Sequence, residues 1–323
     1  MAISLSRPRR ARKNALPSPV ERGIASSTDL RRASVRRTYR IVQSLLLVTL
    51  IIGGLGPILW LFKGAITPTQ DTLREPLSIF PNGIDLQNLV TAWTEVNIDV
   101  QFMNTIWIAI GSWAVQIVVA TTAGYALSVL RPKYGPVLHG MILATLFVPA
   151  VVLLVPLYLV ILNPPLLGTS LINSFFAVWL PAGANAFNVI IVKRFFDNLP
   201  GEVFEAARTD GAGPFRLFWS MVLPMSKPIL GVVSVFAVIA AWKDFLWPLL
   251  VLRDPAVQPL SVRLPTLQRA IELDVYLAAL AISTLIPILL FLLFQRLILR
   301  GAGLASVFHE VVAGVCLKPE RCS

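Results

Sequence analysis

An all-α integral membrane protein is the fold class this sequence predicts, and three observations carry that expectation. Hydrophobic residues make up 56% of the chain and charged residues only 14%, a balance that a soluble domain of 323 residues could not hide in its core. Six runs, 41–62, 103–130, 137–160, 171–192, 228–250 and 278–299, are long and apolar enough for helices to cross a hydrocarbon layer that takes about 20 residues. The basic residues between those runs alternate in density. Twenty-one Lys and Arg fall in 1–40, 131–136, 193–227 and 300–323, against five in 63–102 and 251–277 and none in 161–170. The positive-inside rule therefore places both termini and 193–227 in the cytoplasm.

Taken in order, residues 1–40 form a basic tail with eleven Lys and Arg against Glu21 and Asp29. It lacks apolar periodicity and is predicted to be disordered, fixing orientation and touching anionic membrane lipid, with a regulatory or targeting role as the alternatives. The net charge of +11 is concentrated there, which argues against a nucleic-acid surface. A cleavable secretory signal fits poorly, because the basic region is long and run 41–62 exceeds a signal core of about 7–15 residues. Residues 41–305 read as one six-helix transmembrane domain, and 306–323 as a short extension. Segment 63–102 is polar, with Asp71, Glu75, Asp85, Glu95 and Asp99, and is expected to form a small external cap or a solvated connector.

Most runs contain proline: Pro57, Pro149 and Pro156, Pro181, Pro248 and Pro287. Each removes a backbone donor, so kinked or opened helices are expected where protein or water can satisfy the freed carbonyl. Small residues, Gly53 and Gly56 in the first run and Gly111, Ala114, Ala120, Ala123 and Gly124 in the second, allow close helix approach.

Between the fourth and fifth runs the chain reads as two short helices around a glycine turn. Leu199-Pro200 opens the first, since proline suits an initial position whose N–H would be unpaired. Glu202 and Glu205 sit near its start and Arg208 near its end, as the helix dipole favours, and Gly211 supplies the stop in a left-handed turn. Gly213-Pro214 starts the second, where Phe215, Phe218, Trp219 and Val222 follow i, i+3, i+4, i+7 spacing and make one apolar stripe. Leu223-Pro224 is expected to end it. Periodicity alone supports either a protein-docking element or a hairpin on the membrane surface.

The full pattern, Glu205-Ala206-Ala207-Arg208-Thr209-Asp210-Gly211-Ala212-Gly213, nine residues, then Leu223-Pro224, resembles the EAA loop of ABC importer permeases. The likeness to maltose-type carbohydrate permeases extends from about 41 to 305. It is carried also by Asn104-Thr105, Gly124-Tyr125-Ala126-Leu127, Pro156-Leu157-Tyr158, Phe195-Phe196, Leu199-Pro200 and Trp242-Lys243-Asp244-Phe245-Leu246-Trp247-Pro248-Leu249. In that last run Lys243 stands where the family usually has asparagine. The resemblance implies a six-helix permease with a cytoplasmic coupling loop, a second permease subunit, a pair of ATP-binding subunits and an extracytoplasmic sugar-binding protein. Glu205, Ala206, Ala207, Asp210, Gly211, Leu223 and Pro224 would form the ATPase-coupling element, a mechanical role. Trp242, Lys243 and Asp244 would be candidates for the translocation pathway of a sugar or related polyol. Gly301–Ala305 begins as the family's tail does, and 306–323 diverges from it.

Other chemistries find little support. No phosphate-cradling G-x-x-x-x-G-K-[ST] run is present, so ATP would be bound by a separate subunit. His139 and His309 with Cys316 and Cys322 cannot assemble a convincing metal site, the cysteines read as free thiols, and no cofactor is expected. No Ser/His/Asp or paired-carboxylate arrangement suggests an enzyme. A secondary transporter of a small polar solute is the alternative, but its coupling-ion site would have to come from Lys243, Asp244, Arg296 and His139.

Overall fold

A computed structural model describes residues 33–76, 78, 80, 81, 83–165, 168–289, 292, 293 and 295, all of them in helices or in the turns and loops between helices. The chain divides into two compact units, 1–59 and 60–323. In the first, the described chain is the body of helix α1, Ala33–Ala65. Helix starts earlier than the sequence suggested, so Ser34–Arg40 are helical and not tail. Arg36, Arg37 and Arg40 stand at the end where the helix dipole disfavours positive charge. From Ile41 to Leu59 the helix is apolar nearly all round, the pattern of a span. Residues 1–32 of the predicted tail lie outside the described residues.

In the second unit the central element is α4, Ile98–Tyr125, which continues as a π-turn to Leu130. Ser34–Ala65 and Ile98–Leu130 are individually long and apolar enough to cross a membrane. The remaining expected spans are bent or short. Run 137–160 is not one straight helix: α5, Gly135–Thr145, and α6, Ala150–Leu162, meet at 109°. Pro149 begins α6, and its missing N–H and fixed φ end continuity there, while Pro156 sits within α6. Run 171–192 becomes α7, Phe176–Ala182, and α8, Ala186–Asp197, bent by 43° just after Pro181. Run 228–250 becomes α11, Lys227–Lys243, and α12, Leu246–Val251, with an extended residue, Asp244, between them. The last described helix is α14, Leu273–Leu289. The rest of run 278–299, Arg296 included, is mostly outside the described residues, as are Gly301–Ala305, 306–323 and both cysteines.

The connector expected as an external cap folds into α2, Thr69–Arg74, and α3, Gln87–Thr94. Thr69 and buried Asp274 fasten it reciprocally to the start of α14: each backbone N–H donates to the other's side-chain oxygen at 3.1 Å. A further short helix, α13, Leu260–Leu267, packs against α4.

Helices α7, α8 and α11 pack along α4, and three apolar clusters are strung on it. Near its start, Ile98 meets Ala92, Trp242, Leu260 and Ala278; midway, Ile108 meets Ala177, Trp247 and Val251; near its end, Ala120 and Tyr125 meet Val192, Phe196, Phe218 and Val222. Close approach depends on small residues, as the sequence indicated. A Cβ on Gly111 would lie inside the Trp179 ring, and one on Gly124 would stand 3.2 Å from the Lys193 backbone nitrogen.

Candidate coupling site

Helix α9, Gly201–Thr209, opens behind Pro200 with Glu202 in its first turn and closes on Arg208. Its end is a Schellman motif: the Gly211 N–H donates to the Arg208 carbonyl at 3.0 Å and the Ala212 N–H to the Ala207 carbonyl at 2.9 Å. Gly211 has φ +76°, the left-handed turn expected of it, and a Cβ there would meet open space. The need for glycine is therefore conformational, not steric. Ala207 is buried, whereas Glu205, Ala206, Asp210 and Gly211 face outward. Phe204, Leu199 and Leu223 anchor the loop against the cluster at the end of α4.

The second helix, α10, runs Pro214–Met225 and differs from expectation in two ways. Phe215, Phe218, Trp219 and Val222 do not share a face. Phe218 and Val222 are buried, while Phe215 and Trp219 are 77% and 56% exposed. Residues four apart share a face, Phe215 with Trp219 and Phe218 with Val222, and a π-turn over Phe218–Val222 carries the Leu223 N–H back to the Phe218 carbonyl. Leu223-Pro224 also does not end the helix. Pro224 lacks the N–H an α-turn would use, the π-turn absorbs that gap, and the chain breaks at Ser226. There α10 and α11 meet at 77°, which lays α10 across the end of the span instead of along it.

The loop is tied to α4 through Tyr125, whose hydroxyl donates to the Pro214 carbonyl at 2.8 Å and whose ring lies 5.0 Å from Phe218. What is left outward is a small-residue surface on α9, flanked by carboxylates, beside two exposed aromatics at 6.2 Å from one another on α10. Such a surface carries no reactive cluster among the described residues.

The expected pathway trio is not brought together. Trp242 is buried and stacks edge-on to Phe102 at 5.9 Å; Lys243 is exposed; half-buried Asp244 sits in the break with its carboxylate near the Trp247 backbone N–H. Lys243 and Asp244 form no ion pair; the ion pair among the described residues is Lys193–Asp197. The physical reason is the break itself, which turns adjacent side chains in different directions. Trp247 is buried too, its indole N–H donating to the Ala177 carbonyl at 3.0 Å.

A polar stripe on α4 was not singled out from sequence. Gln101, Thr105, Ser112 and Gln116 are buried at four- or seven-residue spacing, and Gln116 accepts from Asn188 at 2.7 Å. Beside it, Asn104 donates to the carbonyls of Ala256 and Gln258, and Thr105 accepts from the Leu260 N–H, which gives the Asn104-Thr105 pair a structural task. The stripe's only sequence signal was polar residues recurring every helical turn inside an apolar run.

Residues 116–303, which include α9 and α10, match the profile of the family described as binding-protein-dependent transport system inner membrane component. The chain belongs to this family. It is thus a multi-pass membrane permease of a binding-protein-dependent transport system. The permease is 29% identical to the arabinooligosaccharides transport system permease protein AraQ of Halalkalibacterium halodurans over 257 residues, 78% of this chain and 90% of that one. It is 28% identical to the diacetylchitobiose uptake system permease protein NgcG of Streptomyces coelicolor over 288 residues, 87% and 90% of the two chains. With the sn-glycerol-3-phosphate transport system permease protein UgpE of Pectobacterium atrosepticum it shares 29% over 276 residues, 82% and 96%. Its fold matches a chain from the crystal structure of a bacterial ABC transporter involved in the import of the acidic polysaccharide alginate, with TM-score 0.72 and 22% identity over 85% of this permease and 99% of that chain.

Proposed function

We propose that this permease forms half of the translocation pathway of an ATP-driven sugar importer and that its α9–α10 loop is the handle by which ATP-binding subunits move it. The observation that carries the reading is the loop's geometry. Its turns are locked by the Schellman motif and the Tyr125 bond, yet Glu205, Ala206, Asp210, Phe215 and Trp219 face outward. A rigid element with a bare contact surface transmits force to the span it adjoins through the bend at Ser226. On this reading the full assembly has a second permease subunit, a pair of ATP-binding subunits and an extracytoplasmic sugar-binding protein. Residues 193–227 and both termini are cytoplasmic, as the distribution of Lys and Arg supports.

The cargo class, a sugar or related polyol, rests on the transport names of the relatives. Within the membrane the pathway is assigned to the polar stripe of α4 and the break around Trp242, Lys243 and Asp244. Non-helical backbone at membrane depth is tolerated where protein or a wet cavity satisfies it, and Ser261 already donates to the Asp244 carbonyl at 2.6 Å.

Gly211→Pro removes an N–H that is bonded and imposes a negative φ on a residue at +76°, and Glu205→Lys reverses an exposed charge. Both variants are expected to insert at normal abundance and to lose uptake more than about tenfold, the equivalent of about 1.4 kcal/mol of coupling. Sugar uptake and co-purification of an ATP-binding subunit are measured together. Wild-type values for both variants would remove the coupling assignment.

A further inference from the structure

A pocket of about 650 Å³ opens beyond the end of α4, lined by Arg131, Lys133, Gly135, His139, Lys193 and Asp197 among others. Three cations face one carboxylate, and that carboxylate is already engaged. Asp197 accepts from Lys193 Nζ and from Ser128 Oγ, each at 2.7 Å. The surplus positive charge comes from Arg131 and Lys133. Arg131 is held in place, with a left-handed backbone at φ 49° and its Nε donating to the Ser128 carbonyl at 2.8 Å, while its terminal nitrogens have no acceptor among the described residues. The first turn of α5 borders the same space and adds the partial positive charge of a helix N-terminus. One turn further on, His139 Nδ1 is buried without a hydrogen-bond partner. Each of these features favours an anion, and none is used by the coupling loop, which contributes no lining residue.

Beyond the pocket α5 carries exposed Val137 and Met141, side chains that suit hydrocarbon. We propose that the pocket binds the phosphate of an anionic phospholipid headgroup, with Arg131 and Lys133 holding the phosphate, His139 at its floor and the acyl chains lying along α5. A phosphodiester bears the single negative charge that this cation surplus can take, and the adjoining apolar helix distinguishes a lipid from a soluble anion. Basic pockets between spans suit such headgroups because the ligand arrives from the bilayer and leaves its tails there.

The test uses the full-length chain in a neutral detergent, titrated with phosphatidylglycerol and with phosphatidylcholine and read by native mass spectrometry. Preferential retention of phosphatidylglycerol is expected. Lys133 is exposed, so Lys133→Gln leaves the fold intact and is expected to weaken binding about fivefold, the effect of one cation at a lipid surface, with Lys133→Arg restoring it. Inorganic phosphate at equal concentration is expected not to displace the lipid. The proposal is overturned by equal retention of the two lipids or by unchanged affinity in both Lys133→Gln and Arg131→Gln. It is overturned equally by displacement with inorganic phosphate, which would mark a soluble-anion site, or by loss of an ATP-binding subunit with lipid retention unchanged, which would mark a protein contact.

Discussion

In residues 201–211, Glu205, Ala206 and Asp210 point away from the chain, and Phe204, Ala207 and the turn at Gly211 serve the fold. In residues 242–249 the balance is reversed: Trp242, Trp247 and Pro248 are buried, and Asp244 is the extended residue at the break before the helix that follows. Both stretches carry the family pattern, for opposite physical reasons. An outward-facing surface can be altered without unfolding the chain, whereas a stretch that fills the space between α4, α7 and α11 cannot. Substitutions in the first are expected to separate transport from stability, and substitutions in the second to lower both together.

The largest effect expected in the second stretch is that of Trp247→Ala. It removes a buried indole between α7 and α12 and leaves the Ala177 carbonyl without its donor. By the scale of buried aromatic truncations the cost is about 3–5 kcal/mol, and in a membrane interior it falls mainly on lost packing contacts. Thermal unfolding in detergent measures it. A variant that melted with the wild type and only transported more slowly would place Trp247 on the pathway and break the contrast between the two stretches.

Much of this architecture was legible in the sequence because it depends on local chemistry. The stop at Gly211 and the opening at Pro200 follow from backbone rules that act within a few residues, and Gly111 and Gly124 sit where close approach needs them. Direction was not legible. Run 137–160 reads as a single span because hydropathy has no sense of angle, and its 109° bend rests on how α5 and α6 pack after Pro149. The stripe on α10 was misassigned for a related reason. Spacing of i, i+3, i+4, i+7 marks a broad arc of the helix, and packing against the end of α4 covers only one side of it, burying Phe218 and Val222 and leaving Phe215 and Trp219 outward. Lys243 and Asp244 looked like a pair because they are adjacent in sequence, but the chain leaves the helix between them.

A smaller effect tests the hinge between the two kinds of region. Tyr125 belongs to the interior of α4, yet its hydroxyl holds the coupling loop at the Pro214 carbonyl. Tyr125→Phe keeps the ring and its contact with Phe218 and deletes only that bond. The Pro214 carbonyl also accepts from the Phe218 N–H, so it is not orphaned. The expected loss lies toward the low end of the usual 0.5–1.5 kcal/mol, roughly 0.5 kcal/mol. Uptake is expected to fall severalfold while the melting temperature barely moves, because a loosened loop transmits force poorly. A fall in stability with uptake intact would place Tyr125 in the interior class alone.

The smallest effect sharpens the comparison most, because at Asp244 a structural and a transport role predict different outcomes for two similar substitutions. Its carboxylate lies near the Trp247 backbone N–H at the start of α12, where a helix cap is typically worth about 1 kcal/mol. Asp244→Asn keeps an acceptor oxygen and removes the charge, whereas Asp244→Ala removes both. If the residue only caps α12, the asparagine variant transports as the wild type does, and the alanine variant alone loses about 1 kcal/mol in the unfolding measurement. If the charge meets cargo or its water in the break between α11 and α12, uptake in the asparagine variant drops with stability unchanged. Lys243→Asn, at an exposed neighbour with no carboxylate partner among the described residues, is expected to leave stability unchanged, and its uptake tests the same pathway assignment. An asparagine variant that transported normally would confine the pathway to the polar stripe of α4 and leave 242–249 wholly to packing.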